Sequence, residues 1–156
     1  MKRGFVVAVA GAAIVVVGLS GCSKDSDTST SATTKVNGTE VATGTGKAKV
    51  TIDGKDQAIE GGSISCVTAA GVVTIGIGSG TSAIGVTLTE GDSPKVNTVG
   101  LGNINGVTLA VGPGAGNAEA TKDGKDYKIT GNATGVDMAN PLTPVNKPFE
   151  IAVTCP

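Results

Sequence analysis

From Lys47 onward, the chain alternates apolar and polar residues with a period of two. Short runs on this pattern lie at Val50–Ile52, Ile64–Cys66, Val73–Ile77, Ile84–Leu88, Val107–Val111, Tyr127–Ile129 and Phe149–Cys155. Alternation over short, β-branched runs is typical of half-buried antiparallel strands. Turn dipeptides separate the runs, at Asp53-Gly54, Gly61-Gly62, Ala70-Gly71, Gly91-Asp92, Asn105-Gly106 and Asp123-Gly124. The pattern therefore predicts a series of antiparallel strands joined by tight turns.

We expect residues 47–156 to form one all-β domain. About eight to ten strands fit into roughly 110 residues at ordinary strand and loop lengths. An antiparallel β-sandwich or a half-open barrel accounts for that number of short strands. The predicted core consists of Val, Ile and Leu, because aromatic residues make up only 2% of the chain.

The amino-terminal segment, residues 1–21, reads as a lipoprotein signal peptide. Lys2 and Arg3 precede an apolar run over residues 4–18, and fifteen helical residues span roughly 22 Å, less than a bilayer core. The run ends in a lipobox, Leu19-Ser20-Gly21-Cys22. Cleavage before Cys22 would leave its sulfur to carry a diacylglyceryl group. The alternative is an uncleaved anchor with an incidental cysteine.

Residues 22–46 are rich in Ser, Thr and Gly and poor in large apolar side chains. Such a segment buries too little surface to offset its conformational entropy, so it predicts an acylated, flexible tether. About 25 flexible residues reach roughly 25–30 Å on average. Exposed hydroxyls in this segment are also candidates for O-glycosylation, at Thr28, Thr30, Thr33 and Thr34. A plain spacer explains the composition equally well.

Charge and composition exclude several function classes. The chain carries a net charge of −1 and no histidine, and loss of Lys2 and Arg3 leaves ten lysines against thirteen acidic residues. A mature chain with an acidic balance offers no electrostatic surface for nucleic acid. The absence of histidine excludes Ser-His-Asp and Cys-His catalysis and His-ligated metal sites. We expect a protein that is not an enzyme, has no cofactor and binds no metal.

The cysteine count agrees with export to an oxidising compartment. With Cys22 acylated, Cys66 and Cys155 remain as one pair. A metal site would need at least two further soft ligands, so a disulfide is the better interpretation. In the alternating pattern, Cys66 shares a face with Ile64, and Cys155 shares a face with Val153. Both thiols therefore point toward the predicted core.

Three motifs resemble functional sites and have plainer interpretations. Residues 27–31 match the D-x-S-x-S pattern of an adhesion metal site but lie in the Ser/Thr-rich segment. Residues 76–80 resemble a phosphate loop but lack its third glycine and a following helix. Asp-Gly-Lys-Asp occurs at residues 53–56 and 123–126 without the remaining oxygens of a calcium loop. We interpret the first as chance and the others as turns, and a divalent-ion site at these turns is a weaker alternative.

Two stretches of the carboxyl-terminal half carry a resemblance to a known family. Residues 99–109, VGLGNINGVTL, and residues 120–155, ATKDGKDYKITGNATGVDMANPLTPVNKPFEIAVTC, resemble the mycobacterial LpqH family of lipoprotein antigens, as does the signal segment. The resemblance implies an acylated, glycosylated surface lipoprotein that acts as an immune antigen and is sensed by host Toll-like receptors. It also implies lipid on Cys22, a disulfide between Cys66 and Cys155, and sugar on some of Thr28, Thr30, Thr33 and Thr34.

The sequence thus predicts a non-enzymatic lipoprotein antigen or adhesin, anchored to the outer face of the cell membrane through Cys22. Its partners would be the membrane, through acyl chains, and a host Toll-like receptor, and shedding from the envelope surface is a further expectation. The alternative function is an envelope carrier whose β domain opens a pocket for a lipid or glycolipid. A core of small β-branched residues and many glycines motivates that alternative.

Overall fold

The computed structural model describes residues 31–59, 62–104 and 106–156. These residues form twelve strands: β1 Ala32–Val36, β2 Thr39–Thr45, β3 Ala48–Ile52, β4 Lys55–Asp56, β5 Ser63–Ala69, β6 Val72–Ile77, β7 Ile84–Thr89, β8 Val96–Ile104, β9 Val107–Val111, β10 Asn117–Asp123, β11 Asp126–Asp137 and β12 Pro144–Thr154. One short 3₁₀ turn, Gly80–Ser82, connects β6 and β7. The predicted all-β class is confirmed.

Tight turns set the register of neighbouring strands. The β3–β4 hairpin turns at Asp53 and Gly54, with φ values of 54° and 74°. The β5–β6 hairpin turns at Ala70 and Gly71, with φ values of 50° and 79°. Positive φ at both central residues is the signature of a type I′ turn, whose twist matches that of the flanking strands. Both turns were predicted from their dipeptides.

The strands form one antiparallel sheet in the order β1-β2-β5-β6-β7-β8-β9-β11-β12-β3-β4, with β10 also paired to β11. Within the described residues, β1 and β4 end the sheet and do not pair with each other, so the sheet is open. β11 pairs with β12 along one edge, and its other edge pairs with β10 and then with β9. The predicted antiparallel arrangement is confirmed.

One face of the sheet supplies a single hydrophobic core. No polar or charged residue among those described is buried, and the buried aliphatic, aromatic and cysteine residues form one cluster. The alternation predicted this face: the cluster includes Val50, Ile52, Ile64, Cys66, Val73, Ile75, Ile77, Ile84, Val86, Leu88, Leu109, Val111, Tyr127, Ile129, Phe149, Ile151 and Val153. A contiguous apolar core of this kind is the main source of stability in a small domain.

A disulfide connects two strands that are distant in the sheet. Cys66 in β5 bonds to Cys155, just after β12, with a Cα–Cα distance of 5.9 Å and a sequence separation of 89. The pair predicted from the cysteine count is confirmed. Closing a loop of that length restricts the unfolded chain and stabilises the fold by about 4–5 kcal/mol in the chain-entropy model.

The predicted flexible tether over residues 22–46 is wrong from Ala32 onward. β1 and β2 lie within residues 32–45, and β2 pairs with β5 from Glu40 to Thr45. Ala42 lies opposite Cys66 and is buried. The low apolar content was misleading, because a hairpin at the end of a sheet is held by backbone hydrogen bonds and needs few buried side chains. The folded unit therefore begins before residue 47.

Candidate functional site

The predicted lipidation site lies outside the described residues. This holds for the lipobox residues Leu19, Ser20 and Gly21, for Cys22, and for Thr28 and Thr30. Between Cys22 and the first described residue, Ser31, the chain can extend over at most about 32 Å, at roughly 3.5 Å per residue. Any anchor at Cys22 therefore holds the sheet within that distance of the lipid surface.

The amino-terminal hairpin carries the other two candidate threonines. Thr33 and Thr34 lie in β1, whose five residues are all exposed. Lys35 Nζ lies 2.6 Å from Glu40 Oε2 across the hairpin. The hydrogen bond to Glu40, together with its negative charge, raises the pKa of Lys35 above its ordinary value. Both threonine hydroxyls thus stand on a solvent-exposed, ordered ribbon.

A notch interrupts the sheet between β8 and β10. β9 and β10 follow each other along the same edge of β11, separated by residues 112–116. This excursion is closed by a bridge between Gly112 and Ala115. Gly116 has a φ of 70°, and a Cβ there would meet the carbonyl oxygen of Asn132. Residues 112–116 separate β10 from β8, the strand that pairs with the other edge of β9. In the described sheet, β10 therefore pairs with β11 and with no second strand.

An open groove of about 730 Å³ occupies this notch. Its walls are residues 92–96, which lead into β8, and residues 118–122 of β10. Val96, Ala118 and Ala120 are partly buried and pack against the core at the edges of the groove. Asp92, Lys95, Glu119 and Lys122 supply both signs of charge along its length.

The backbone of β10 leaves hydrogen-bonding groups facing this groove. A two-residue turn joins Asp123 to Asp126, so these residues form the first hydrogen-bonded pair of the hairpin. Pairs then alternate, and Ala118, Ala120 and Lys122 lie in the non-hydrogen-bonded positions. Their N–H and C=O groups point away from β11. Within the described part of the chain, they have no backbone hydrogen bond to another strand.

Side-chain positions agree with this assignment. Gly131 lies opposite Ala118, and a Cβ on Gly131 would come within 2.7 Å of the Ala118 Cα. Lys122 lies opposite Tyr127, and its Nζ is 5.9 Å from the centre of the Tyr127 ring. Close approach of opposing residues is characteristic of non-hydrogen-bonded pairs.

The Asp-Gly-Lys-Asp repeats are turns, as predicted. In the first repeat, Lys147 Nζ donates to Asp53 Oδ2 at 2.6 Å. This hydrogen bond, together with the positive charge of Lys147, lowers the pKa of Asp53 below its ordinary value. Within the described ranges, no three or more His, Cys, Asp or Glu side chains lie close enough together to hold a metal ion. No helix among these residues is long and apolar enough to cross a membrane.

A sequence profile of the Mycobacterium 19 kDa lipoprotein antigen family matches residues 41–155. That range includes both cysteines of the disulfide and strands from β3 to β12. The chain belongs to this family.

Individual members of the 19 kDa lipoprotein antigen family are similar over most of the chain. Lipoprotein LpqH of Mycobacterium tuberculosis (strain H37Rv) is 60% identical over 159 residues, covering 99% of each chain. Lipoprotein LpqH of Mycobacterium avium is 61% identical over 109 residues, covering 69% of this chain and 67% of its own. A putative lipoprotein of Mycobacteroides abscessus is 36% identical over 155 residues, covering 94% and 92%. The family resemblance inferred from the sequence is confirmed.

The groove was not predicted from the sequence of this family member. β10 reads NAEATKD, and its inward residues are alanines and a lysine in place of the β-branched residues that marked other strands. The one available signal was the alternation of Ala118 and Ala120 with Glu119 and Thr121 beside a two-residue turn. A period of two predicts a strand even when the apolar residues are small.

Proposed function

We propose that this protein is a non-enzymatic lipoprotein antigen, held on the outer face of the cell membrane by acyl chains on Cys22. One observation supports it most strongly: the 60% identity to a protein named as a lipoprotein extends over 99% of both chains. The alignment therefore includes the segment that carries the lipobox, Leu19-Ser20-Gly21-Cys22. Family membership supports the antigen part of the proposal.

Acyl chains are the proposed source of both retention and receptor recognition. Each buried methylene contributes about 0.8 kcal/mol to membrane binding, so two or three chains give stable anchoring. The protein part offers little attraction to anionic lipid, since thirteen acidic residues outnumber the lysines that remain after cleavage. A host Toll-like receptor would then bind the acyl chains on Cys22, with no special surface required on the sheet.

We further propose O-glycosylation at some of Thr28, Thr30, Thr33 and Thr34. The support is the full exposure of β1, which leaves both Thr33 and Thr34 accessible. A glycosylated ribbon next to the lipid would lie at the cell surface, in keeping with an adhesin role and with release of some protein from the envelope. Mass spectrometry of tryptic peptides covering residues 23–49 tests this directly, and unmodified threonines throughout would contradict it.

The carrier alternative has less support. The hydrophobic core contains side chains that are 0% exposed, such as Ile75, Leu88, Ile129 and Ile151. A lipid inside the β domain would have to displace this packed core, at the cost of its apolar contacts. We therefore propose the antigen function alone.

A substitution at the proposed lipid site tests the function. Cys22→Ala removes the sulfur that must be acylated, so membrane retention and Toll-like receptor stimulation should both be lost. The matched control is the double variant Cys66→Ala/Cys155→Ala, which keeps Cys22 and should retain both properties at a temperature where it is folded. Equal stimulation by the Cys22→Ala protein would refute the acyl-chain mechanism.

A further inference from the structure

The free edge of β10 and the groove beside it form a candidate binding site. Neither the proposed lipid anchor nor the hydrophobic core uses this edge. Ala118, Ala120 and Lys122 present N–H and C=O groups toward a groove of about 730 Å³. Exposed strand edges are usually shortened, bulged or covered, because they pair readily with other chains. β10 is seven residues long and pairs with β11 in continuous register, without a bulge.

The hydrogen-bonding groups of this edge are suited to an extended polypeptide as ligand. Donors and acceptors alternate along Ala118–Lys122 at the strand repeat, over roughly 17 Å at 3.4 Å per residue. A lipid chain or a small anion cannot satisfy alternating N–H and C=O groups, whereas an added strand satisfies all of them. The ligand that complements the alternating N–H and C=O groups of β10 is therefore another extended polypeptide backbone.

The side chains of the groove indicate which residues the added strand would carry. Ala118 and Ala120 are small and pack against the core, and Val96 also lines the groove. Large apolar side chains at alternate positions of an incoming strand would fill the space above these alanines. Glu119 and Thr121 point to the solvent side, where polar residues of the incoming strand would lie.

We propose that β10 binds an extended segment of a partner protein by strand addition. The segment places apolar residues at every second position over about five residues, which matches the length of the groove wall along β10. This interaction does not depend on acylation of Cys22, so it stands or falls separately from the proposed lipoprotein function.

Hydrogen exchange on the protein as isolated from its native organism, in detergent micelles, tests the proposal. The probes are three acetylated, amidated hexapeptides, Thr-X-Thr-X-Thr-X, in which X is Val, Leu or Phe. Without peptide, the amides of Ala118, Ala120 and Lys122 should exchange much faster than those of Glu119 and Thr121. At millimolar concentration, at least one peptide should slow exchange at those three amides.

Two controls separate strand addition from other binding. The same peptide with N-methyl groups on alternate residues keeps its side chains and loses its edge hydrogen bonds, so its affinity should fall about tenfold or more. Ala120→Pro removes an N–H that is not used by β11 and should weaken binding to a similar extent. If that variant does not fold, Ala120→Leu blocks the groove and keeps the backbone intact.

The possible results are distinct. Protection confined to Ala118, Ala120 and Lys122, together with sensitivity to N-methylation, supports the proposal. Failure of all three peptides to slow exchange at these amides would overturn it. Slow exchange at these amides in the absence of peptide would also overturn it, because it would show that a second copy or a detergent molecule covers β10. Equal affinity for the N-methylated peptide would overturn it as well.

Discussion

At the scale of single residues, the turn at Asp53 combines backbone geometry with an ion pair. Asp53 has a φ of 54° and accepts a hydrogen bond from Lys147, which lies in β12. Asp and Asn both tolerate the left-handed region, so the charge can be changed with little effect on the turn. The residue therefore allows the electrostatic contribution to be measured alone.

Asp53→Asn should lower stability in a pH-dependent way. The hydrogen bond and charge of Lys147 lower the pKa of Asp53, so its contribution is fully present above the unfolded value near 3.9 and is lost as pH falls through the folded value. The difference in unfolding free energy between parent and variant should shrink to zero below that point, as measured by urea unfolding between pH 2 and pH 7. A constant difference across this range would contradict the assignment.

Gly131 is required for the close approach of β10 to β11. A Cβ at this position would come within 2.7 Å of the Ala118 Cα, so one strand must move. Gly131→Ala should destabilise the protein by about 1–3 kcal/mol, in the range of overpacked cores. Gly100→Ala is the control, because the nearest atom to its Cβ would be 4.0 Å away. Equal midpoints of denaturant unfolding for the two variants would refute the close packing.

At the scale of elements, the sequence predicted most of the strands that bury β-branched side chains and missed those that bury few. One exception is β8, which buries Val99 and Leu101 and was also missed. β5, β6, β7 and β12 carry Val, Ile or Phe at alternating buried positions, and all were predicted. β1, β2 and β10 are rich in Thr and Ala, and all were missed. Backbone pairing holds these strands, and it leaves little trace in side-chain polarity.

The order of strands in the sheet could also not be predicted from the alternation of apolar and polar residues. Alternation gives the face that each residue occupies but not the neighbour of each strand. The pairing of β9 and β10 with one edge of β11 depends on the excursion over residues 112–116, whose geometry is set by glycines and not by a hydrophobic signal. The groove follows from that excursion and was therefore missed as well.

The β1–β2 hairpin provides a test of the corrected amino-terminal boundary. Its turn has φ values of 48° at Asn37 and 80° at Gly38. Gly38→Val places a β-branched residue in the left-handed region, which costs about 1–2 kcal/mol, so amides of β2 should exchange faster.

The control for this prediction is Gly85→Val, where the backbone is ordinary and no atom lies within 4 Å of the added Cβ. It should leave exchange in β2 unchanged. If β2 amides exchange at the rate of an unfolded peptide in the parent protein, the hairpin does not form, and the tether interpretation is restored.

At the scale of the whole molecule, the disulfide and the core together hold an open sheet. Cys66 and Cys155 connect strands that are not neighbours in the sheet. The double variant Cys66→Ala/Cys155→Ala should lose about 4–5 kcal/mol of unfolding free energy, less any relaxation of the native state. Guanidinium unfolding at neutral pH measures this, and a loss below about 1 kcal/mol would show that the restriction of the unfolded chain by the disulfide contributes little.

In the function proposed above, acyl chains on Cys22 both anchor the protein in the membrane and are recognised by the host. Intact-mass analysis of the protein isolated from its native organism is the decisive measurement for this proposal. We expect a chain that begins at Cys22, carries the added mass of a diacylglyceryl group and further acyl chains, and contains one oxidised cysteine pair. Recovery of a chain that still begins at Met1, with an unmodified Cys22, would contradict it.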